Sequence, residues 1–180
     1  MIPGYGAKIA IVKIVVVKVV VVKVVLVKIK VAWVGKTKEP AIRALTEEYV
    51  RRISRYVQFE AGPLRDEVAL VQMAGRAPRN AGKIGRSEKS TLVLMDSRGQ
   101  QLSSEEFARF LGDYQDRNPL PLVLAIGPAD GFSDAALTAA QRTISLSKMT
   151  LAHELARVVL LEQLYRAFTI LKNHPYHSGH

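Results

Sequence analysis

Short apolar segments alternate with amphipathic ones from residue 28 to residue 173, and this order restricts the fold more than any other feature of the sequence. The apolar segments are continuous, as in TLVLM at 91–95 and LVLAI at 122–126. Continuous apolar strands are typical of a parallel sheet whose two faces are both covered by helices. The sequence therefore predicts an α/β fold, with a mostly parallel sheet flanked by helices.

The individual elements are predicted from β-rich runs, helical spacing and capping residues. Strands are predicted at 28–35, 57–61, 90–96, 120–127 and 143–147, and helices at 39–57, 102–116, 134–142 and 151–173. The helix at 102–116 opens with a capping signature, because a serine precedes Glu105 and Glu106. The segment at 62–90 is predicted to be a loop or a partly ordered crossover, and SRGQ at 97–100 a turn.

The helix at 39–57 combines an apolar stripe with several arginines. The stripe has spacings of three and four residues and consists of Ile42, Leu45, Tyr49, Ile53 and Val57. The arginines that lie off this stripe are Arg43, Arg51, Arg52 and Arg55. We expect them to form a solvated face; the alternative is a patch that faces RNA.

Residues 1–26 differ in character from the rest of the chain. In this segment lysine recurs at every fifth position between valine and isoleucine residues. A period of five matches neither a helix nor a strand, and lysines at this density are too costly for a membrane span. We therefore expect a low-complexity Val/Lys extension outside the fold, followed by a single domain at 27–180. A basic arm that grips RNA is the alternative.

The formal net charge of the chain is +10, which favours an anionic partner such as nucleic acid. Residues 1–30 contain six lysines and no acidic residue, so the remaining 150 residues carry only +4. Any nucleic-acid site therefore depends on a local patch. The chain has no cysteine, which excludes disulfides and thiolate metal sites and is typical of a reducing cytoplasm.

Three loops follow predicted strands, and the carboxyl ends of parallel strands are where such sheets bind ligands. The loops are MDSRG at 95–99, IGPADG at 126–131 and SLSKMT at 145–150. A glycine directly after a strand lets a ligand approach the backbone, and the last loop offers hydroxyls, a lysine and N–H groups just before a helix. Each loop taken alone is also compatible with an ordinary strand-to-helix turn.

The usual catalytic motifs are absent: the chain has no G-x-S-x-G elbow, no Walker loop and no G-x-G-x-x-G after the first strand. The C-terminal tail carries His174, His177 and His180 at intervals of three. This spacing would suit a metal clamp, but we expect a frayed terminus and no metal. His153 is expected to be a buried, hydrogen-bonded histidine.

Several segments occur together in an order and spacing that resemble one known family. They are VAWVGKTKEP, EEYVRRISRY, MDSRGQQLSSEEFA, IGPADGFS and LSKMTLAHELARVVLLEQLYRAFTILKNHPYH. Over about residues 28–177 the chain resembles the bacterial RlmH family of large-subunit ribosomal RNA methyltransferases, which are members of the SPOUT class. This resemblance implies a SPOUT-type sheet with a C-terminal trefoil knot, a feature that general folding rules would not predict.

The resemblance also implies a cofactor, S-adenosyl-L-methionine, and residues to hold it. The cofactor-binding residues carried over by motif are Met95, Gly127, Leu146, Ser147, Lys148, Met149, Thr150 and Leu151. The residues that resemble the substrate side of the family are Arg157, Arg166, Tyr176 and His177, with His177 as the candidate base. The implied activity is methylation of N3 of a pseudouridine in 23S ribosomal RNA, as a homodimer that acts on the assembled ribosome.

Two positions depart from the family pattern. Pro128 stands where a second glycine is usual, and it removes a backbone N–H that a cofactor could use. Ala152 stands where a proline usually precedes the histidine, and the crossover at 62–90 lacks an expected long acidic helix. Three alternatives stay open: an inactive RNA- or ribosome-binding protein of this fold, a methyltransferase for another RNA, and a structural role for the Val/Lys extension.

Overall fold

The computed structural model describes residues 27–75 and 89–178. The predicted low-complexity extension at 1–26 lies outside the described residues, as does His180 of the histidine-rich tail. Within the described parts, the chain forms a five-stranded sheet with helices on both faces, which confirms the predicted α/β class.

All the strand pairings of the sheet are parallel, and the strand order is β2-β1-β4-β3-β5. The strands are β1 at Ile29–Val34, β2 at Phe59–Leu64, β3 at Thr91–Gln101, β4 at Leu122–Ile126 and β5 at Arg142–Ser145. Because every strand points the same way, the carboxyl ends of β3, β4 and β5 lie together at one edge.

In the described residues, four α-helices connect successive strands and a fifth follows β5, with a 3₁₀ turn at Pro175–Ser178 after it. The helices are α1 at Pro40–Ile53, α2 at Val68–Met73, α3 at Ser104–Arg117, α4 at Asp134–Ala139 and α5 at His153–Leu171. The capping signature of α3 is confirmed: the Ser103 hydroxyl accepts the N–H of Glu106, while the Glu106 carboxylate accepts the N–H of Ser103.

Successive strand residues contribute to two separate cores, which explains the continuous apolar runs. On one face, Val93 and Leu124 pack with apolar side chains of α1, α3 and α5. On the other, Leu94 and Val123 pack with Leu70 of α2 and with residues of α4. Since both faces are buried there, all five positions of the central strand β4 are apolar.

Two local predictions were wrong. Leu45 of the predicted stripe is 44% exposed, and Thr46 is buried in its place. Burial of the Thr46 hydroxyl is tolerated because it donates to the Ile42 carbonyl at 2.7 Å. The predicted turn at 97–100 is instead part of β3, which pairs with β5 a second time after an irregularity. The segment at 62–90, predicted to be a loop or a partly ordered crossover, has the end of β2 and all of α2 among its described residues.

Gly99 makes this second pairing possible. A Cβ placed on Gly99 would lie 2.6–2.7 Å from backbone atoms of Thr143 and Ile144, a separation that two non-bonded heavy atoms do not tolerate. Only a residue without a side chain lets the end of β3 approach β5 so closely. The trefoil knot that the family resemblance implies stays a prediction. In residues 27–75 and 89–178, no helix is long and apolar enough to cross a membrane.

Candidate functional site

One cleft opens where β3 stops pairing with β4 and where β4 and β5 end, and the three predicted loops meet there. It is lined by residues 95–97 of β3, by residues 126–129 with Gly131 and Phe132 at the end of β4 and after it, and by residues from the end of β5 to the first turns of α5. Seven of the eight residues expected to bind cofactor line it: Met95, Gly127, Leu146, Ser147, Met149, Thr150 and Leu151. Lys148 belongs to the same turn, but its exposed side chain is not part of the lining.

Local hydrogen bonds shape the loops that form this cleft. The Ser145 hydroxyl donates to the Ser147 carbonyl at 2.8 Å, and the Ser147 hydroxyl accepts the N–H of Met149 at 2.9 Å. In the loop after β4, the N–H of Gly131 donates to the Pro128 carbonyl at 3.1 Å, and Gly131 has a φ of +84°. These bonds hold polar turns in place between buried strands and helices.

Gly127 lies at the bottom of the cleft, against an aromatic ring. A Cβ on Gly127 would lie 3.1 Å from the Phe132 ring, which is closer than ordinary van der Waals contact. The glycine therefore leaves room for the Phe132 ring to pack directly against the backbone. Pro128 also lines the cleft, so its missing N–H lies where the sequence predicted an effect on ligand binding.

Two titratable side chains, His153 and Asp96, are among the described residues that line the cleft. His153, at the start of α5, is half-buried and faces the cleft, so the prediction of a buried histidine was wrong. Asp96 lies within β3, directly after the last residue that pairs with β4, and its side chain is 7% exposed. The Arg98 guanidinium, which donates to both carboxylate oxygens, lowers the pKa of Asp96.

The first turns of α5 hold the loop that follows β1. The Glu154 carboxylate accepts the N–H groups of Lys38 and Glu39, and these bonds lower its pKa. Arg157 is fully buried, donates from Nη1 to the Thr37 hydroxyl at 2.7 Å and lies 4.9 Å from the centre of the Trp33 ring. Burial lowers the pKa of Arg157. In this conformation Arg157 connects parts of the protein and does not face solvent.

The far end of α5 carries a cluster of aromatic and charged side chains, which we call the tail cluster. It consists of Tyr49 and Arg52 of α1, Glu162, Tyr165 and Arg166 of α5, and Tyr176 of the tail. Arg166 donates to Glu162 at 2.7 Å and lies 5.3 Å from the Tyr176 ring, which packs against Tyr165 with ring centres 4.8 Å apart. The hydrogen bond from Arg166 to Glu162 raises the pKa of Arg166.

The predicted catalytic residues are therefore not all in one place within the chain. Arg166 and Tyr176 lie together in the tail cluster, whereas Arg157 lies nine residues earlier on α5, roughly 14 Å along the helix axis. The 3₁₀ turn contains His177, whose side chain is among the parts that the structure leaves undescribed. Among the described residues, no group of three or more His, Cys, Asp or Glu could hold a metal ion.

Comparison with known proteins identifies the family. The family model described as "Predicted SPOUT methyltransferase" matches residues 27–177. The chain belongs to the SPOUT methyltransferase family. The match covers both described parts of the chain and begins immediately after the Val/Lys extension.

Curated relatives of this SPOUT methyltransferase carry one shared name, "Ribosomal RNA large subunit methyltransferase H". The protein of that name from Koribacter versatilis is 51% identical over 84% of this chain and 99% of its own length. The one from Geobacter sulfurreducens is 45% identical over 83% of this chain and 98% of its own length. The resemblance stated from motifs is thus confirmed at the level of the family.

Among solved structures, a probable methylase family protein from Haemophilus influenzae has a similar fold. Its TM-score is 0.52 at 12% sequence identity, and the match covers 84% of this chain and 70% of that chain. At this identity the likeness concerns the fold alone. This SPOUT methyltransferase and that solved structure therefore share an overall architecture.

Two features of the SPOUT methyltransferase site were not predicted from the sequence. Asp96 of MDSRG was assigned no role, although a carboxylate that directly follows the buried run TLVLM is a signal that could have identified it. The link between Glu154, Arg157 and the loop after β1 joins residues more than 110 positions apart. No local pattern in the sequence could have revealed that link.

Proposed function

We propose that this SPOUT methyltransferase uses S-adenosyl-L-methionine to methylate N3 of a pseudouridine in 23S ribosomal RNA, on the assembled ribosome, in the cytoplasm and as a homodimer. The observation that carries the proposal is the convergence of three strand-end loops on one cleft, with seven of the eight expected cofactor residues in its lining. The relatives named as large-subunit ribosomal RNA methyltransferases support the choice of RNA.

The cleft suits this cofactor chemically. Gly127 is part of its lining, and apolar surface for a purine is offered by Met95, Ile126, Leu146, Leu151 and Phe132. Asp96 is acidic, and none of the residues that line the cleft is lysine or arginine. A cationic ligand therefore meets no repelling positive charge from a lysine or arginine in the described lining of the cleft. When bound, the cofactor supplies an electrophilic methyl group.

The protein has three tasks in such a reaction. It must align the acceptor nitrogen with the methyl group, exclude water, and remove the N3 proton or stabilise the resulting anion. His177 is the proposed base, and Arg166, which is paired with Glu162, is the proposed stabiliser or phosphate contact. Because Arg157 is fully buried, we assign it a positioning role and no direct contact with the substrate.

The surface around the cleft supports a homodimer. Met149, which lines the cleft, is 78% exposed. Leu155, on the first turn of α5, is 52% exposed. Exposed apolar side chains at a helix end are typical of a covered interface. In addition, one chain encloses only about 170 Å³, whereas small-molecule sites typically enclose about 300–1,000 Å³. A second copy would supply the missing walls.

A homodimer would also resolve the separation of the predicted site residues. The tail cluster and the cleft lie at opposite ends of α5 in one chain. We propose that each active site combines the cleft of one protomer with the tail of its partner. Solvent-exposed arginines on α1 and just after it are available for contacts with RNA phosphates: Arg43, Arg51 and Arg55.

The activity is tested by incubating the protein with ribosomes from cells that lack it and with methyl-labelled S-adenosyl-L-methionine. We expect mass spectrometry of the 23S RNA nucleosides to show one new methyl group, on a pseudouridine. Labelling of a different base or of another RNA would contradict the proposed substrate. An absence of label in every RNA would contradict the activity.

The shared active site is tested by mixing two inactive variants. Gly127→Trp blocks the cleft with a large side chain. Arg166→Glu places a negative charge, which repels RNA, in the tail cluster. If sites are shared, mixed dimers contain one intact site, and the mixture should recover up to about a quarter of wild-type activity by random exchange. Recovery in neither the mixture nor a denatured and refolded mixture would indicate that each chain carries a whole site.

The role of His177 is tested by separating turnover from binding. His177→Ala should lower kcat for methylation while leaving the Kd for S-adenosyl-L-methionine unchanged, because the base acts on the substrate. The matched control is His174→Ala, three residues earlier in the tail. Equal losses of turnover and of cofactor affinity in His177→Ala would argue against a base.

A second candidate function is an RNA-binding protein of this fold that lacks methyltransferase activity, and Pro128 is the observation that favours it. Pro128 lines the cleft and offers no N–H to a ligand. Isothermal titration with S-adenosyl-L-methionine distinguishes the two. We expect saturable heat and a stabilised protein; the absence of both would favour the inactive RNA-binding protein. Pro128→Gly should then restore binding.

A further inference from the structure

Asp96 is the only carboxylate among the residues that line the cleft in the described part of the chain. It follows Met95, the last residue of β3 that pairs with β4, and lies on the side of the cleft where the adenosine of the cofactor is expected. Its side chain is 7% exposed, so solvent does not compete strongly for it. A nearly buried carboxylate that still faces a cleft is positioned to meet a ligand.

Arg98 fixes this carboxylate from the side away from the cleft. Oδ1 of Asp96 accepts the backbone N–H and the Nε–H of Arg98, both at 2.9 Å, and Oδ2 accepts from Nη2 at 3.0 Å. The Arg98 side chain is 65% exposed, so it extends outward from the loop. The pair therefore holds Asp96 in one orientation without filling the cleft.

The carboxylate has hydrogen-bonding capacity to spare. An ionised carboxylate can accept about four hydrogen bonds, and Arg98 provides three. Oδ2 accepts only one of them among the described residues and keeps a free lone-pair position. A ligand hydroxyl that enters the cleft can donate to that position.

We propose that Asp96 binds one ribose hydroxyl of the cofactor and is a specificity-determining residue for adenosine-bearing ligands, with Arg98 as its positioning residue. This inference rests on the proposed use of S-adenosyl-L-methionine. One hydroxyl of the ribose diol can donate to the free position on Oδ2, and acidic residues near the ends of parallel strands bind ribose hydroxyls in other nucleotide sites.

The pairing with Arg98 decides between the ribose and the cationic groups of the cofactor. The guanidinium compensates most of the charge of Asp96, so the carboxylate is a weak counter-ion for an ammonium or sulfonium group. Its oxygens nevertheless remain strong acceptors for a neutral hydroxyl. The ribose is therefore the better match.

The experiment compares the binding of three ligands by isothermal titration to the full chain. The ligands are S-adenosyl-L-methionine, 5′-methylthioadenosine and the 2′,3′-dideoxy form of the latter. For Asp96→Asn we expect binding about 10- to 100-fold weaker for the first two ligands, since hydrogen bonds to charged groups carry that difference. For the dideoxy ligand, the variant and the wild type should bind equally.

Two control variants exclude a merely structural effect. Asp113→Asn makes the same change at an exposed position of α3 and should alter none of the three affinities. Arg98→Ala removes the side-chain pair but keeps the carboxylate, and should weaken binding less than Asp96→Asn. If Arg98→Ala and Asp96→Asn lose equal affinity for all three ligands, the acid only shapes the loop and the proposal fails.

Other outcomes separate this inference from the proposed function. Unchanged binding of S-adenosyl-L-methionine by Asp96→Asn would overturn the role of Asp96 while leaving the methyltransferase intact. A loss for S-adenosyl-L-methionine but not for 5′-methylthioadenosine would assign Asp96 to the methionine part and would also overturn it. Failure of the wild type to bind S-adenosyl-L-methionine would instead count against the proposed function.

Discussion

The two ends of α5 are built in different ways. At the end that begins with His153, the cleft is formed mainly by backbone loops and apolar side chains, with Gly99 and Gly127 at points of close approach. At the other end, the tail cluster is formed by aromatic rings and by ion pairs on the surface of α1, α5 and the tail. One helix therefore joins a backbone site to a side-chain site.

Two arginines of α5 illustrate the difference between the two ends of the helix. Arg157 is fully buried, its Nε and Nη2 have no partner among the described residues, and burial lowers its pKa. Arg166 is partly exposed and paired with Glu162, which raises its pKa. The same residue type thus connects packed elements at one end and presents a charge at the other. Residue type alone does not reveal which role applies.

The largest expected effect is the loss of Arg157. Arg157→Ala removes the contacts with Trp33 and Thr37 and leaves a cavity under the loop after β1, so we expect the free energy of unfolding to fall by about 2–4 kcal/mol. The measurement is the midpoint of urea denaturation. The matched variant is Arg166→Ala, which should cost about 1 kcal/mol or less, because its partner Glu162 remains partly solvated.

The comparison between the two arginines fails if Arg166→Ala proves the more destabilising of the two. Arg157→Met sharpens the result further. It keeps most of the buried volume without the charge, and replacement of a buried charge by an apolar side chain is often tolerated. Near-wild-type stability of Arg157→Met would show that Arg157 acts through packing.

The next effect concerns the backbone at the cleft end. Gly99→Ala places a methyl group 2.6–2.7 Å from backbone atoms of Thr143 and Ile144, so β3 and β5 must separate. We expect a loss of about 1–3 kcal/mol in unfolding free energy, together with weaker binding of S-adenosyl-L-methionine. Gly62→Ala is the control, because nothing lies within 4 Å of its Cβ. Equal stability of the two variants would show that β5 does not need this approach.

The smallest effect on stability is expected in the tail cluster. Tyr176→Phe removes only a hydroxyl that lies 3.5 Å from Glu162 and keeps the ring contacts with Tyr165 and Arg166. Stability should change by less than about 0.5 kcal/mol. If the tail faces the substrate, methylation should nevertheless slow. A variant with unchanged methylation would remove Tyr176 from the substrate side.

Much of the architecture could be predicted because its cause is local. Continuous apolar runs identified the strands, and Ser103 with Glu106 identified the start of α3. Leu45 was assigned to the buried stripe because it is apolar, but the packing of α1 buries Thr46, whose hydroxyl is satisfied within the helix. The segment SRGQ has the composition of a turn, and only its pairing with β5 makes it a strand.

The candidate site could be predicted in part. Its three loops share one edge because parallel strands share one direction, and that inference needs only the order of elements. The orientation of Asp96, the burial of Arg157 and the distance of the tail from the cleft depend on contacts between distant segments. Sequence spacing contains no measure of such distances.

The sequence by itself determined the order of strands and helices, the two buried faces of the sheet and the three loops at its carboxyl edge. Each of these follows from the polarity of neighbouring residues, since a strand or helix must bury its apolar surface. The tertiary structure alone decided which polar groups lie together. Hydrogen bonds and ion pairs act over about 3 Å, so their partners are set only when the elements have packed.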